Sequence, residues 1–265
     1  MVMGERFRRI KNDFVFLIQF SVDDFKTKYS GSILGGIWAF LQPMITIVLY
    51  WFVFQLGFKT QPVGEYPFIL WLMSGLVPWF FISEGVVNAT TSLADYSYLV
   101  KKVLFNVYIL PLAKIVSVLF VQLALIFFTF ICFGIGGYYP SVYYLQIIPY
   151  LLYMILLATG VSYITATLYV FFKDVIQIVS IFTQIIFWLT PIVWPISNMP
   201  DIVQKILVFN PVYYVIEGYR NAFLNHTFGD VLSVMTVYYW AIAFVIFALG
   251  ALLFKKCKNH FADVL

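Results

Sequence analysis

Charge is scarce in this chain. Lysine, arginine, aspartate and glutamate make up 11% of its 265 residues, where a soluble domain carries about 25%. A large water-exposed domain is therefore excluded. Cysteine is limited to two residues, Cys132 at the end of one apolar run and Cys257 after the last. The charge pattern puts them on opposite sides of a membrane, so they cannot pair, and no disulfide framework exists. Histidine is as sparse: His226 and His260 fall in different compartments. With them go the usual marks of catalysis and metal binding. There is no His-Glu-x-x-His, no Cys-His cluster, no paired carboxylates within an apolar run and no Gly-x-Ser-x-Gly elbow. These absences argue against an enzyme and against a metal site. A Gly-x4-Gly-Lys-Ser/Thr loop is missing as well, so any ATP-driven step needs hydrolysis by another subunit.

What is present is apolar. Hydrophobic residues reach 63% and the mean hydropathy is +0.93. At roughly 20 to 25 residues per helix the chain has room for six or seven spans and little else, a single transmembrane domain over 1–265. Uncharged or nearly uncharged runs at 33–58, 68–90, 108–133, 144–170, 177–195 and 232–254 give six spans. Twelve Lys and Arg lie at the termini and in the even connectors, against Lys59, Lys205 and Arg220 in the odd ones, with Lys114 just inside the third span. That asymmetry orients both termini to the cytoplasm. The net charge of +4 is accounted for beside the spans, and no nucleic-acid partner is implied.

The ends and connectors carry their own patterns. In 1–30, Phe7, Ile10, Phe14, Leu17, Ile18 and Phe25 follow helical spacing while Lys11, Asp13, Asp24 and Lys28 fall elsewhere, which predicts an interfacial amphipathic helix. Residues 91–105 begin with N-cap formers and continue with Leu93, Tyr96, Leu99, Val100 and Val103, a short cytoplasmic helix. The longest connector, 196–231, mixes apolar residues with Asp201, Lys205, Glu217 and Arg220 around an Asn210-Pro211 break. It reads as two short helices dipping back to the outer surface.

Charges and aromatics inside the runs need a reason. Glu84 and Lys114 lie near the inner ends of spans two and three, and their cost in lipid predicts an ion pair between them. Asp230 reads as a helix-start residue. Aromatic residues are 21% of the chain. Tyr50, Trp51, Phe52 and Phe54 in span one, with Phe182, Phe187 and Trp188 in span five, fit two readings: lipid-facing belts and packing, or a pore wall on which sugar rings stack.

Three blocks in order along the chain then stand out. The first is Lys28-Tyr29-Ser30, Leu34-Gly35, Trp38 and Gln42-Pro43, leading into Tyr50-Trp51-Phe52. The second runs from Tyr66-Pro67 through Gly75-Leu76-Val77-Pro78-Trp79 and Asn88 to Leu99-Val100-Lys101-Lys102-Val103 and Pro111. The third passes from Phe172-Lys173-Asp174 through Thr190-Pro191-Ile192, Trp194-Pro195 and Asn210-Pro211 to Tyr219-Arg220. With these blocks the chain resembles the ABC type-2 transporter permeases that export polysaccharides such as O-antigen, capsule and teichoic acid. The resemblance implies an all-α, multi-pass permease of the bacterial inner membrane, working as a homodimer with two nucleotide-binding ATPase subunits. This chain would bind no cofactor, with ATP and Mg on the partner, and its cargo would be a lipid-linked glycan.

Residue roles follow from the resemblance. Leu93, Tyr96, Leu99, Lys101 and Lys102 match its coupling helix, and Lys173 with Asp174 a second ATPase contact. Trp38, Tyr50, Trp51, Phe54, Phe187 and Trp188 are candidates for the channel wall. Asn210, Pro211, Tyr219 and Arg220 belong to its outer gate. Arg6, Arg8, Arg9 and Lys11 lie at the surface where a lipid pyrophosphate enters, or serve simply as positive-inside anchors. A drug or small-lipid exporter of the same superfamily is the alternative. A membrane glycosyl- or acyltransferase is the reading that the empty catalytic inventory disfavours.

Overall fold

The computed structural model describes residues 2–60, 65–102, 105–228 and 233–265, and within the first helix the side chains from Asp13 onward. Eleven α-helices are found among these residues. The chain enters through α1 (Val2–Tyr29), turns at Gly31 and Gly35 and passes a 3-10 turn into α2 (Trp38–Trp51). Both glycines have positive φ, 87° and 51°, a conformation costly for any side chain. A π-helical turn, Phe52–Gly57, extends α2, so that 23 residues form one apolar segment. Then come α3 (Phe68–Asp95), α4 (Ser97–Val100), α5 (Ile109–Ile135), α6 (Ile147–Phe171) and α7 (Val175–Leu189). Two short helices, α8 (Asp201–Leu207) and α9 (Pro211–Arg220), precede α10 (Val234–Cys257) and α11 (Phe261–Val264).

Five of these segments are long and apolar enough to cross a bilayer, close to the runs read from the sequence. The expected fifth span is the exception. Helix α7 stops at Leu189, six residues before the predicted end, and at about 1.5 Å per residue it reaches only about 22 Å of a core about 30 Å thick. Thr190 turns extended ahead of Pro191, whose ring disfavours the helical region for the residue before it.

Helix α3 is the axis of the bundle. Seventy-eight per cent of its apolar window is buried, against 17% for the α2 segment, and it packs on α5, α6 and α9. Lipid tails are as apolar as leucine, so contact between helices depends on close backbone approach rather than on hydrophobic burial. Helices α6 and α10 meet in that way. A Cβ on Gly250 would stand 2.3 Å from the carbonyl oxygen of Gly160, and one on Gly160 2.7 Å from the Cα of Phe247.

Two ends are distinguishable. The basal end holds α4, α11 and the C-terminal half of α1, joined by a second core that includes Leu93, Val100, Leu110, Tyr163, Phe254 and Phe261. The distal end holds α8, α9 and the 3-10 turn Val142–Gln146. Helix 91–105 does not form as one piece: Thr91–Asp95 continue α3, Tyr96 breaks it with φ −115° and ψ 34°, and α4 supplies only four residues. Val103 and Leu104 lie outside the described residues, as does Asp230. The expected Glu84–Lys114 pair is also absent. Helix α1 lies along α5, and it supplies each charge with a different partner: Lys28 bonds Glu84 at 2.5 Å, and Asp24 bonds Lys114 at 2.8 Å.

Candidate functional site

The basal end is built on charge. Lys114 stands between Asp24 and Asp95, 2.8 and 3.2 Å from their oxygens, and lies 5.1 Å from the centre of the Tyr96 ring. The Tyr96 hydroxyl donates to Asp24 at 2.6 Å. Burial, reinforced by that bond, pushes the phenol well above its ordinary range, so it stays a donor. Asp24 belongs to α1. The helix turns Ser21 and Asp24 inward, leaving Phe14, Val15 and Phe16 exposed. These two polar residues meet the bundle together with Phe20, Phe25 and Tyr29, which pack against its cores.

The predicted coupling residues divide by exposure. Leu93 is fully buried, and Tyr96 packs edge-on against Phe20 with centroids 4.9 Å apart, so both hold the end together. Leu99 is half-buried, whereas Lys101 and Lys102 stand in solvent at the end of α4. Lys173 and Asp174 are also exposed, in the turn between α6 and α7, with the Lys173 amine 4.7 Å from the Tyr169 ring centre. The two lysines after α4 and the Lys173–Asp174 turn are therefore free to meet a partner. The side chains of Arg6, Arg8, Arg9 and Lys11 lie outside the described residues.

Above this end, α1, α2 and α3 enclose a polar pocket of about 400 Å³ lined by Lys28, Gln42, Thr46, Ser83, Glu84 and Asn88. Burial opposes the Lys28 charge, but the Glu84 carboxylate more than offsets it and raises the amine above its ordinary value. Sequence reading missed Lys28 and Asp24 as partners. Their i, i+4 spacing on α1 was the available signal.

The six aromatic channel candidates are divided between packed and exposed positions. Phe187 is buried between Tyr50 and Trp79, both 5.6 Å away by centroid, and Phe54 packs on Phe68 at 6.3 Å. Trp51 is half-buried. Trp38 and Trp188 are exposed, alongside Leu49, Phe52, Ile181 and Phe182. Phe187, Tyr50 and Phe54 thus make ring contacts within the bundle. An open apolar face of α2 and α7 remains around the two tryptophans.

At the distal end, Asn210 and Arg220 meet the broken end of α7 and Tyr219 meets α5. The Asn210 side chain caps α9 by accepting from the Val212 N–H at 2.9 Å, and its Nδ2 donates to Thr190 Oγ1 at 2.8 Å. Pro211 follows at the first helical position, where its missing N–H costs nothing. Tyr219 is fully buried and accepts from Gln122 Nε2 at 3.3 Å. Arg220, 4% exposed, donates to the Ile192 carbonyl at 2.9 Å and lies 3.8 Å from the centre of the Trp71 ring. A broken span survives in lipid only where such groups satisfy its freed backbone.

Residues 18–224 match the family model described as ABC-2 type transporter. Among curated proteins, the chain is 27% identical over 254 residues to an O-antigen export system permease protein RfbA from Klebsiella pneumoniae, covering 95% of each chain. It is 26% identical to the protein of that name from Myxococcus xanthus, covering 93% of this chain and 94% of the other. The polysialic acid transport protein KpsM of Escherichia coli is 22% identical over 75% of this chain and 77% of its own.

Proposed function

The chain belongs to the ABC-2 type transporter family, a membrane component of an ABC transporter rather than an enzyme, and from that premise we propose that it exports a lipid-linked polysaccharide of the O-antigen kind. It does so from the cytoplasm across the inner membrane, as a homodimer bound to two ATPase subunits that hold ATP and Mg. The likeness to O-antigen export permeases along nearly the whole chain carries this reading.

The geometry supports a division of labour. Closure of the ATPase pair on ATP presses on the α4 end at Leu99, Lys101 and Lys102 and on the Lys173–Asp174 turn, the exposed surfaces at the basal end. Tyr96 and Leu93 couple that push to α3, the central helix. Because α6 and α10 are locked by Gly160 and Gly250, the motion is taken up by α2 and α7, whose apolar faces lie open. Two copies that bring these faces together make the path, with Trp38 and Trp188 on its wall. The lipid headgroup of the cargo meets the polar pocket of Lys28, Gln42 and Glu84. On the far side, Asn210 and Arg220 hold the α9 gate on the end of α7, Pro211 starts α9 and Tyr219 ties it to α5.

Deletion of the gene in its host tests the reading. Surface glycan should disappear, with lipid-linked glycan accumulating inside, and the tagged permease should copurify with an ATP-hydrolysing protein. Unchanged surface glycan with increased drug sensitivity would assign the chain to drug export instead.

A further inference from the structure

Arg220 is a buried cation with more donors than partners. A guanidinium carries five N–H groups. One bonds the Ile192 carbonyl, the nearest carboxylate oxygen, on Glu217, is 3.8 Å from Nη1, and the buried Nε has no hydrogen-bond partner among the described residues. The Trp71 ring face, 3.8 Å away, and Glu217 return part of the desolvation cost, but the Nε donor stays unmet. Arg220 lines a cavity of about 560 Å³, together with Glu65, Tyr66, Glu217, Asn225 and His226. At about 30 Å³ per water, that is space for roughly 18 waters, ample for a sugar ring.

The charges facing the cavity decide the occupant. Two carboxylates, Glu65 and Glu217, oppose one guanidinium, so an anion would meet an excess of negative charge. A hydroxyl group suits both: it accepts from Arg220 and donates to either glutamate. A neutral polyol satisfies the arginine without bringing in a second charge. We propose that this distal cavity is a binding subsite for an uncharged saccharide unit of the glycan leaving the transporter, held between Arg220 and the Glu217 and Glu65 carboxylates. This rests on the export reading above.

The test uses the permease with its ATPase partner in lipid nanodiscs, and saturation-transfer NMR with two probes, neutral maltopentaose and acidic trigalacturonate. Maltopentaose should bind, at least fivefold more weakly to Glu217→Gln and Arg220→Lys, and with unchanged affinity to Asp263→Asn, an exposed residue at the opposite end. Thermal unfolding shows whether Arg220→Lys still folds. Glu217→Gln decides the matter if it does not, because that side chain is 34% exposed and holds no helix in place. Equal maltopentaose affinity in all variants, binding of trigalacturonate alone, or no binding of either probe overturns the subsite. Those outcomes leave the export reading intact, since it fails only if surface glycan persists in the gene deletion.

Discussion

Asp24 and Arg220 are both about 95% buried and both sit at an end of the bundle, yet they are treated oppositely. Asp24 has a cation at 2.8 Å and a phenol at 2.6 Å, a closed set in which each member answers another. Arg220 has one short bond, the Trp71 ring face, one distant carboxylate and a cavity beside it. A buried charge whose bonds are complete is part of the frame. One whose bonds are incomplete is held ready for something that arrives.

Breaking the closed set should cost most. Lys114→Ala leaves Asp24 buried without its cation, and removal of one partner of such a pair costs about 3–5 kcal/mol. Thermal unfolding of the purified permease measures this, and adding Asp24→Asn in a double variant should recover a large part of the loss. Arg220→Met should cost less, about 1–2 kcal/mol, because only the Ile192 carbonyl loses a short bond. Its larger effect should be on export, read as surface glycan per unit of permease in the membrane.

Lys101→Glu with Lys102→Glu sharpens the contrast from the exposed side. Stability should change by under about 0.5 kcal/mol, as for surface positions generally. ATP hydrolysis by the assembled transporter should continue while export falls, and unchanged export would remove these lysines from the coupling surface. Lys28→Met should cost under about 1 kcal/mol, since its pair with Glu84 is partly in solvent. The folded pKa of Lys28 lies above its ordinary 10.5, so the contribution of the pair is complete below that value and fades as pH rises through the folded one. The difference in Tm between wild type and Lys28→Met should therefore stay level from pH 6 to 9.

Much of this was legible in the sequence because lipid imposes a simple rule: uncharged runs of span length are helices, and charges mark their ends. Five runs were read to within a few residues on that basis. The end of α7 was not, since Ile192, Val193 and Trp194 keep the run apolar past the helix and only Thr190-Pro191 marks the break. Partners were less legible than positions. Glu84 and Lys114 needed counter-charges, as burial demands, but helix crossing selects the partner, and α1 reached both. Arg220 could be placed at the distal end by motif. Its burial against Trp71 could not, because Trp71 lies 149 positions away along the chain and meets it only through the α3–α9 packing.

The short α7 gives the protein a stake in the thickness of its bilayer. Around most of the circumference, helices of 23 to 31 residues match a hydrocarbon core of about 30 Å, but beside α7 the helical wall is about 22 Å tall. Lipids there must shorten or tilt, at a cost of fractions of a kcal/mol for each ångström of mismatch. Longer acyl chains raise that cost where α2 and α7 lie open, and so favour any arrangement that hides this side from lipid. Growth temperature, acting through chain length, becomes an input to how strongly this side of the protein favours cover over lipid contact.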